Sequence, residues 1–360
     1  MNDLTLEIRD KLGWGITHII NDPISCNWVT SFQEPGYSTF TCVTDAEHIP
    51  NFAIGSYITR ADSDQVHFIT DVSISRDISG ILYAEVHCKD VIALFDRRVI
   101  LDQIQHTGTI NNFIKKIIQQ NITTSDQARN IGVFSTTITD ATSLVANVTA
   151  QARFDSVLEK IVEILKQYNI GIKARLNTNA LDLALVGITI YSYTNQTIGN
   201  NQNPVAIFSD DLGNLNAWNF EQNNTEYRNV AVVAGEGEGT DRTVYTAGET
   251  ASADVDRYEL YVDARDLSKT TDDGELTPTQ YRDILITRGN ETLAETGLIY
   301  SANTEVNSTI YTNGIEYGIG SLVSVRTEAF NAKALVTQIT EIFDTSGYSI
   351  FPTLTITELE

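Results

Sequence analysis

The sequence predicts an α+β protein that is mostly β, with two related small β-barrel domains, an inserted α/β domain and a further helix-containing segment. Three observations predict it: strand-like runs near both ends, strongly periodic helical segments between them, and two distant segments that resemble each other. We place the first β-barrel region at residues 1–100 and the α/β domain at 101–200. The second β-barrel region takes 201–360, with a helix at about 278–296.

Strand-like runs dominate the first hundred residues. They are rich in β-branched and aromatic residues and are separated by turn clusters such as Ala61–Asp64 and Arg76–Gly80. The runs are Ser38–Val43, Ala53–Thr59, Val66–Ser75 and Ile81–Cys88. After them, Asp90–Ile100 resembles a short helix that carries the basic pair Arg97 and Arg98.

Two amphipathic helices are predicted next, because apolar residues recur there at three- and four-residue spacing. The first stripe is Ile110, Phe113, Ile114, Ile117, Ile118 and Ile122, and the second is Phe154, Val157, Leu158, Ile161, Ile164, Leu165 and Tyr168. Gly171 stands where the second helix would end. The runs Gly171–Leu176 and Leu181–Tyr191 then predict a hairpin, which completes a small α/β unit.

From Pro204 the pattern is again that of strands, with one helix among them. Thr277 is a good N-cap, Pro278 fits the first helical position, and Gly297 stands where that helix would stop. The strand-like runs are Val205–Ser209, Ala217–Gln222, Asn229–Gly235, Thr243–Gly248, Tyr258–Ala264, Leu298–Val306, Tyr317–Phe330, Ala334–Phe343 and Tyr348–Thr357.

An internal repeat links the two ends of the chain. Phe52–Arg60 and Tyr317–Val325 both contain Ile-Gly-Ser followed by a β-branched strand. Phe68–Gly80 then aligns without gaps on Leu335–Gly347, and both segments end in Asp-x-Ser-Gly. We interpret this as a duplication that gives one small barrel near each end; the alternative is two similar hairpins in one sheet. Three such chains would present six quasi-equivalent barrels, which matches a trimer to a hexamer.

The bulk composition excludes several classes of protein. The net charge of -23 disfavours non-specific binding to nucleic acid or to anionic lipid. No apolar run is long enough for a membrane helix, and the N-terminus has no secretory signal. The three cysteines, Cys26, Cys42 and Cys88, have no paired spacing and are expected to be reduced, partly buried thiols.

The stretch Val232–Thr243 holds three glycines and raises the question of a phosphate-binding loop. Gly235, Gly237 and Gly239 have the spacing G-x-G-x-G rather than G-x-G-x-x-G, and Glu236 and Glu238 between them would repel a pyrophosphate. The residues that follow are strand-like, so no helix N-terminus faces an anion. We expect a strand, a glycine turn and a strand within the second barrel region, with Arg242 paired to a nearby acid.

Tests for other chemistry are negative, so we predict no catalytic, cofactor-binding or metal-binding residues and no cofactor. The five histidines lack metal-ligand spacing, although His67 and His87 lie in strands where they face each other or solvent; the set is His18, His48, His67, His87 and His106. The acids Asp62–Asp64 lack a calcium-loop pattern. Ser56 and Ser321 recur with the repeat, so their role is architectural, and adjacent His87 and Cys88 point to opposite faces of a strand.

Four segments, taken in their order along the chain, carry a family resemblance. They are Cys88–Ile100; Val205–Thr243, with Phe208, Ser209, Asn214, Leu215, Asn229, Val230, Gly235, Gly237, Gly239 and Arg242 at motif positions; Asp256–Leu267; and Tyr317–Val325. Together they resemble the tail-hub proteins of long-tailed siphophages and related prophages, whose fold is similar to contractile-phage baseplate hubs and type VI secretion spike hubs. Two positions depart from the family's motifs: Lys89 stands where the family has Gly, and Ser321 stands in place of the family's Asp.

The resemblance implies a structural, non-enzymatic protein of the virion tail tip or baseplate, made in the host cytoplasm. It implies a homotrimer whose barrels dock on a hexameric distal tail ring, with the tape-measure protein and tail fibre, spike or receptor-binding proteins as further partners. It implies no membrane and no sequence-specific nucleic acid binding, although DNA passes through the ring. Many hub proteins carry a C-terminal peptidase or receptor-binding extension; because this sequence ends at Glu360, just after the second barrel region, we expect such modules on other chains.

The alternative function is a carbohydrate-binding or glycan-degrading β-protein of a virion or cell surface. It predicts paired carboxylates in a cleft or a platform of Tyr and Trp side chains. The tryptophans Trp14, Trp28 and Trp218 are scattered, and we expect each to be a core anchor.

Overall fold

The computed structural model of the protein describes residues 4–11, 15–142, 146–177, 186–192, 206–271, 274–297, 299–306 and 310–359. The fold is mostly β, as predicted. Trp14, Leu181–Leu185, Val205 and Leu298, which the sequence analysis assigned to the core or to strands, lie outside the described residues.

Strands of two to fourteen residues make up about half of the described chain. In chain order they are β1 (Thr5–Arg9), β2 (Ile16–Asn21), β3 (Ser25–Ser31), β4 (Tyr37–Thr44), β5 (Tyr57–Arg60), β6 (Val66–Arg76), β7 (Leu82–Asp90), β8 (Ile104–Thr109), β9 (Phe134–Ala141), β10 (Asn147–Ala152), β11 (Ile170–Leu176), β12 (Val186–Ser192), β13 (Ile207–Ser209), β14 (Leu215–Asn223), β15 (Val230–Ala234), β16 (Val244–Gly248), β17 (Glu259–Asp263), β18 (Thr270–Thr271), β19 (Gly274–Glu275), β20 (Ile299–Val306), β21 (Leu322–Arg326), β22 (Asn331–Asp344) and β23 (Gly347–Leu359). The α-helices are α1 (Ile110–Asn121), α2 (Val157–Tyr168) and α3 (Pro278–Glu295).

One large sheet joins both ends of the chain. Its path is β14-β20-β23-β22-β3-β4-β7-β6-β5-β1-β2, and β21 and β13 branch from β22. We call β3–β7 the N-terminal unit, and β14 with β20–β23 the C-terminal unit. Among the described residues the path has two open ends, at β2 and β14. The two closed barrels therefore stay a prediction.

The middle of the chain forms an α/β unit around one apolar core. The pair β8·β10 and the mixed sheet β11-β12-β9 pack with α1 and α2, and the predicted hairpin is the antiparallel pair β11·β12. The predicted stripe of α1 is buried along its length. The segment Val91–Arg97, predicted as a short helix, is a 3-10 helix capped by Asp90.

The ends of α2 differ from the prediction. Phe154 has φ 63° and lies outside the helix, which starts at Val157 because the Ser156 hydroxyl accepts from the backbone N–H of Glu159. The helix is ended by Asn169, with φ 50°, and not by Gly171. Gly171 lies in β11 instead.

A third unit packs α3 against the sheet β16-β15-β17 and has its own core. The N-terminus of α3 is confirmed as a capping box, in which the Thr277 hydroxyl accepts from the backbone N–H of Gln280 and the Gln280 side chain accepts from the backbone N–H of Thr277. This unit includes the glycine stretch. The stretch is strand-turn-strand, as predicted, and its strands lie in a separate sheet, because β15 pairs with β16 and in parallel with β17.

Phe32, just after β3, lies where three parts of the chain meet. Its backbone N–H donates to the carbonyl of Thr337 (2.9 Å), and its carbonyl accepts from the backbone N–H of Ile172 (3.1 Å). Its buried ring occupies the space that side chains at Gly171 and Gly320 would need. This close approach, rather than a helix end, explains Gly171.

Candidate assembly interface

The sequence repeat corresponds to a repeat of backbone geometry. In the N-terminal unit the N–H of Gly55 donates to the carbonyl of Ile69, and the N–H of Ile69 donates to the carbonyl of Ser56. Gly320, Val336 and Ser321 form the same pair of bonds in the C-terminal unit. Both glycines have positive φ, 88° and 79°, which is the conformation that glycine adopts without strain.

A β-bulge occurs at the same place in both units. It falls at Thr70, where β6 pairs with β7, and at Thr337, where β22 pairs with β23. The Thr70 hydroxyl donates to the carbonyl of His87 (3.0 Å), and the Thr337 hydroxyl to that of Thr353 (3.3 Å). Both hairpins then turn at a positive-φ glycine, Gly80 or Gly347. Thr70 and Thr337 are aligned in the sequence repeat. This shared threonine was the sequence feature that could have predicted the bulge.

The two units meet where β3 pairs with β22. This antiparallel pairing runs from Gln338 opposite Ser31 to Phe343 opposite Cys26. Trp28 lies opposite Glu341 and is fully buried, which confirms it as a core anchor. The described part of the chain thus carries one strand-to-strand junction between the units.

A buried ion pair crosses this junction. Arg60, which ends β5, donates from Nη1 to Glu341 Oε2 (2.8 Å), and the Tyr348 hydroxyl donates to Glu341 Oε1 (2.9 Å). The Arg60 guanidinium also lies over the rings of Trp28 and Phe343, at 5.5 and 5.0 Å from the centroids. The sequence analysis missed this pair because its residues are far apart in the chain, although Arg60 and Glu341 each lie in a repeated segment, Phe52–Arg60 and Leu335–Gly347.

His67 is buried and serves the same region as a structural histidine. Its ring stacks on Trp28 at 4.0 Å between centroids, and Nδ1 lies 2.8 Å from the Ser38 hydroxyl. Burial lowers the pKa of His67 to about 3, and the charges of Arg175 and Arg60 contribute to this lowering. His87 is exposed and contacts Thr39, so the two histidines do not face each other.

The glycine loop is fixed by Arg242. Its guanidinium donates to the carbonyls of Gly235 (2.9 Å) and Ala234 (2.8 Å) and to Asp263 (2.6 Å), so the predicted acid partner is Asp263. Hydrogen bonds from Arg265 first, and then from Arg242, lower the pKa of Asp263 to about 2. These bonds tie Arg242 to the start of the loop and to the neighbouring strand β17.

A buried charge cluster joins the α/β unit to the third unit. Lys160 on α2 pairs with Glu291 on α3, and both side chains are buried. Burial raises the pKa of Glu291, and the charges of Lys160 and Arg288 oppose that rise. Arg288 reaches Asp266 at 2.9 Å. These contacts hold the two units of the chain together.

The other candidate residues are placed as structural groups. Cys26, Cys42 and Cys88 are free and buried, as expected, and burial raises the pKa of Cys26 to about 12. Ser321 Oγ accepts from the N–H of Gly318 (3.0 Å), inside the repeated turn. Asp62 and Asp64 pair with Arg60 and Arg175. Across the described ranges, no group of three or more potential ligands is placed to hold a metal ion.

The two described tryptophans differ in their surroundings, and the half-buried Trp218 belongs to a cluster of aromatic rings with Phe220, Tyr300 and Phe330. Trp28 is inside the core, and Trp218 packs edge-on against Phe330 with 5.3 Å between centroids. No helix in the described part of the chain is long and apolar enough to cross a membrane.

Solved structures of phage tail proteins share this fold along nearly the whole chain. The prophage MuSo2 43 kDa tail protein from Shewanella oneidensis has a TM-score of 0.61 at 12% identity, covering 99% of this chain and 98% of its own. A tail protein from Neisseria meningitidis MC58 has 0.59 at 10%, covering 98% and 96%. Prophage tail protein gp18 from Listeria monocytogenes EGD-e has 0.54 at 11%, covering 98% and 94%.

No curated protein sequence matches the chain. The profile of the family described as "Siphovirus ReqiPepy6 Gp37-like protein" matches residues 5–356, nearly the full length. The resemblance to siphophage tail proteins is thereby confirmed, and the chain belongs to this family of siphovirus tail proteins.

Proposed function

We propose that the protein is the structural hub of a phage tail tip or baseplate. In this function it is a homotrimer that joins the hexameric distal tail ring to the tail tip and closes the tail tube. The observation that carries the proposal is the repeated backbone geometry of the N- and C-terminal units, since a chain with two equivalent units lets three chains present six equivalent surfaces. The membership of a tail protein family supports it.

The repeated units are the cores of the two barrel regions, residues 1–100 and 201–360, and the α/β domain lies between them at 101–200. The third unit, with α3 and the glycine loop, interrupts the second region. Partners are the distal tail ring, the tape-measure protein and the fibre, spike or receptor-binding proteins of the tip. The protein acts without catalysis or cofactor, in the virion, after synthesis in the host cytoplasm.

The mass in solution tests this function. We expect light scattering at micromolar protein to give three times the chain mass of 39.8 kDa. The distal tail protein of the same phage should bind as one hexamer per trimer, seen as a six-fold ring above a three-fold ring in averaged electron micrographs. A monomer both alone and with that hexamer would overturn the proposal.

A further inference from the structure

The junction between the two units uses half of one strand edge. The edge of β22 that faces away from β23 is shared: β21 pairs with 331–335, and β3 pairs with 338–343. The side chains of Ile339, Glu341 and Phe343 are buried there. Strand β3 therefore completes an edge that β21 leaves open.

The equivalent edge in the N-terminal unit is not completed within the described chain. Strand β6 corresponds to β22, and β7 occupies one of its edges. On the other edge β5 pairs only with 66–68, and no described strand continues along 71–76. In the repeat, Ile74 corresponds to Glu341 and Arg76 corresponds to Phe343. Glu341 and Phe343 are buried, whereas Ile74 is 37% exposed and Arg76 is exposed.

The strand that corresponds to β3 is β14. Ser38 of β4 lies opposite Cys88 of β7, and Ala302 of β20 lies opposite Leu354 of β23, so β4 corresponds to β20. The next strand in the sheet is β3 beside β4 and β14 beside β20. Trp28 opposite Ser38 thus corresponds to Phe220 opposite Ala302.

Strand β14 ends the sheet path, and its outer edge pairs with no described strand. It has nine residues, no proline and one charged residue, Glu221. It thus lacks the charges and prolines by which natural edge strands avoid pairing.

We propose that the outer edge of β14 pairs antiparallel with the 71–76 edge of β6 in a second copy of this chain, which rests on the proposed trimer. The register follows from that of β3 on β22. Phe220 lies opposite the partner's Ile74, Trp218 opposite the partner's Arg76, and Gln222 opposite the partner's Val72. Each chain offers one edge of each kind, so the assembly is head-to-tail and three chains close it as a ring.

The side chains that this register brings together are complementary. Phe220 and Ile74 form an aromatic–aliphatic pair, one of the cross-strand pairs that stabilise sheets. Arg76 opposite Trp218 places a guanidinium beside an indole, as Arg60 lies over Trp28 at the junction within the chain. None of the six pairs, from Asp71 with Asn223 to Arg76 with Trp218, sets like charges opposite each other.

A disulfide between Ser75 and Asn219 tests the register. Both residues are exposed, and they correspond to Ile342 and Asn27 in the pairing of β22 with β3. Hydrogen-bonded and non-hydrogen-bonded pairs alternate along an antiparallel ladder. Thr337 and Phe32 share a backbone hydrogen bond, and Ile342–Asn27 lies five pairs further along. Ser75 and Asn219 therefore form a non-hydrogen-bonded pair, with Cα atoms about 4.5 Å apart, within reach of a disulfide. Within one chain, β6 and β14 lie seven strand positions apart on the sheet path.

We expect oxidised S75C/N219C to run as a covalent trimer on non-reducing gels and to return to the monomer on reduction. The matched control is S75C/N223C, whose cysteines would lie four residues out of register, roughly 13 Å apart. Neither it nor the single variants should cross-link. A trimer by light scattering without this cross-link, or with equal cross-linking in the control, would overturn the strand pairing and leave the hub function standing. A monomer alone and with the distal tail hexamer would overturn both.

Discussion

Arg60 and Glu341 are bonded across the junction between the two repeated units, and their side chains are 4% and 11% exposed. The exposed Asp62 also pairs with Arg60, at 2.7 Å. The Arg60 guanidinium thus takes part in a buried pair with Glu341 and in a surface pair with Asp62. Substituting Asp62 removes the surface pair alone, so the contribution of each pair to stability can be measured separately.

Removing Arg60 should leave a buried carboxylate with only the Tyr348 hydroxyl. We expect Arg60→Met to lower the free energy of unfolding by about 3–5 kcal/mol, because breaking one side of a buried ion pair leaves an uncompensated charge. The double variant R60M/E341L should recover most of the loss. The control Asp62→Asn should change it by less than about 1 kcal/mol. Urea denaturation measures all three, and equal losses in R60M and D62N would contradict the prediction.

Gly55 and Gly320 provide a matched pair with the same conformation and different surroundings. Alanine at either site adopts positive φ at a cost of about 1–3 kcal/mol. At Gly320 the new Cβ would also lie 2.6 Å from the ring of Phe32, whereas at Gly55 it would lie 3.7 Å from Lys11. Overpacking adds a further ~1–3 kcal/mol at Gly320. The melting temperature of G320A should therefore be lower than that of G55A. The reverse order would count against the close approach of the Phe32 ring to Gly320.

His67 should make the protein lose stability in acid. Its pKa of about 3 in the folded protein lies below the ordinary value of 6.5, so its contribution is present above pH 6.5 and is lost as the pH falls toward 3. In His67→Asn, which keeps a polar contact to Ser38, the free energy of unfolding should fall less steeply over this range. The exposed His87→Asn is the control and should keep the wild-type slope; a wild-type slope in H67N would refute the assignment.

Asp90 should act in the opposite direction. Burial raises its pKa to about 6, although the N–H of Ile92 and the charge of Arg175 oppose the rise. A raised pKa gives stability that is present below pH ~4 and lost as the pH rises through 6. Asp90→Asn, which keeps an N-cap acceptor, should unfold at higher denaturant than wild type at pH 7, with the difference shrinking toward pH 4. The exposed Asp102→Asn serves as the control. A constant difference at both pH values would mean that the cap alone matters.

The sequence predicted what depends on local pattern. The stripe from Ile110 to Ile122 placed α1, Thr277 and Pro278 placed the start of α3, and the Ile-Gly-Ser repeat located both hairpins. Alternation and periodicity of apolar residues indicate which face of an element is buried, so these features could be predicted from the sequence.

The pairing of strands that are distant in the chain could not be predicted in this way. Nothing local in Ser25–Ser31 indicates that it pairs with Gln338–Phe343, and so the pair Arg60–Glu341 could not be anticipated. The parallel pairing of β15 with β17 joins strands that are not consecutive in the chain, so the separate sheet that holds the glycine stretch was not predicted. Asn169 ended α2 before Gly171, because an asparagine accepts the left-handed conformation that the helix end required.

The position of Phe32 has a mechanical consequence. One ring fills the space beside β11 of the α/β unit and beside the repeated turn of the C-terminal unit, while its own backbone bonds to both. Phe32 therefore couples the α/β unit to β22 directly, beside other contacts such as the hydrogen bond from the Gln33 side chain to the carbonyl of Leu165. A displacement of the α/β unit would shift this ring and, with it, the repeated turn of the C-terminal unit.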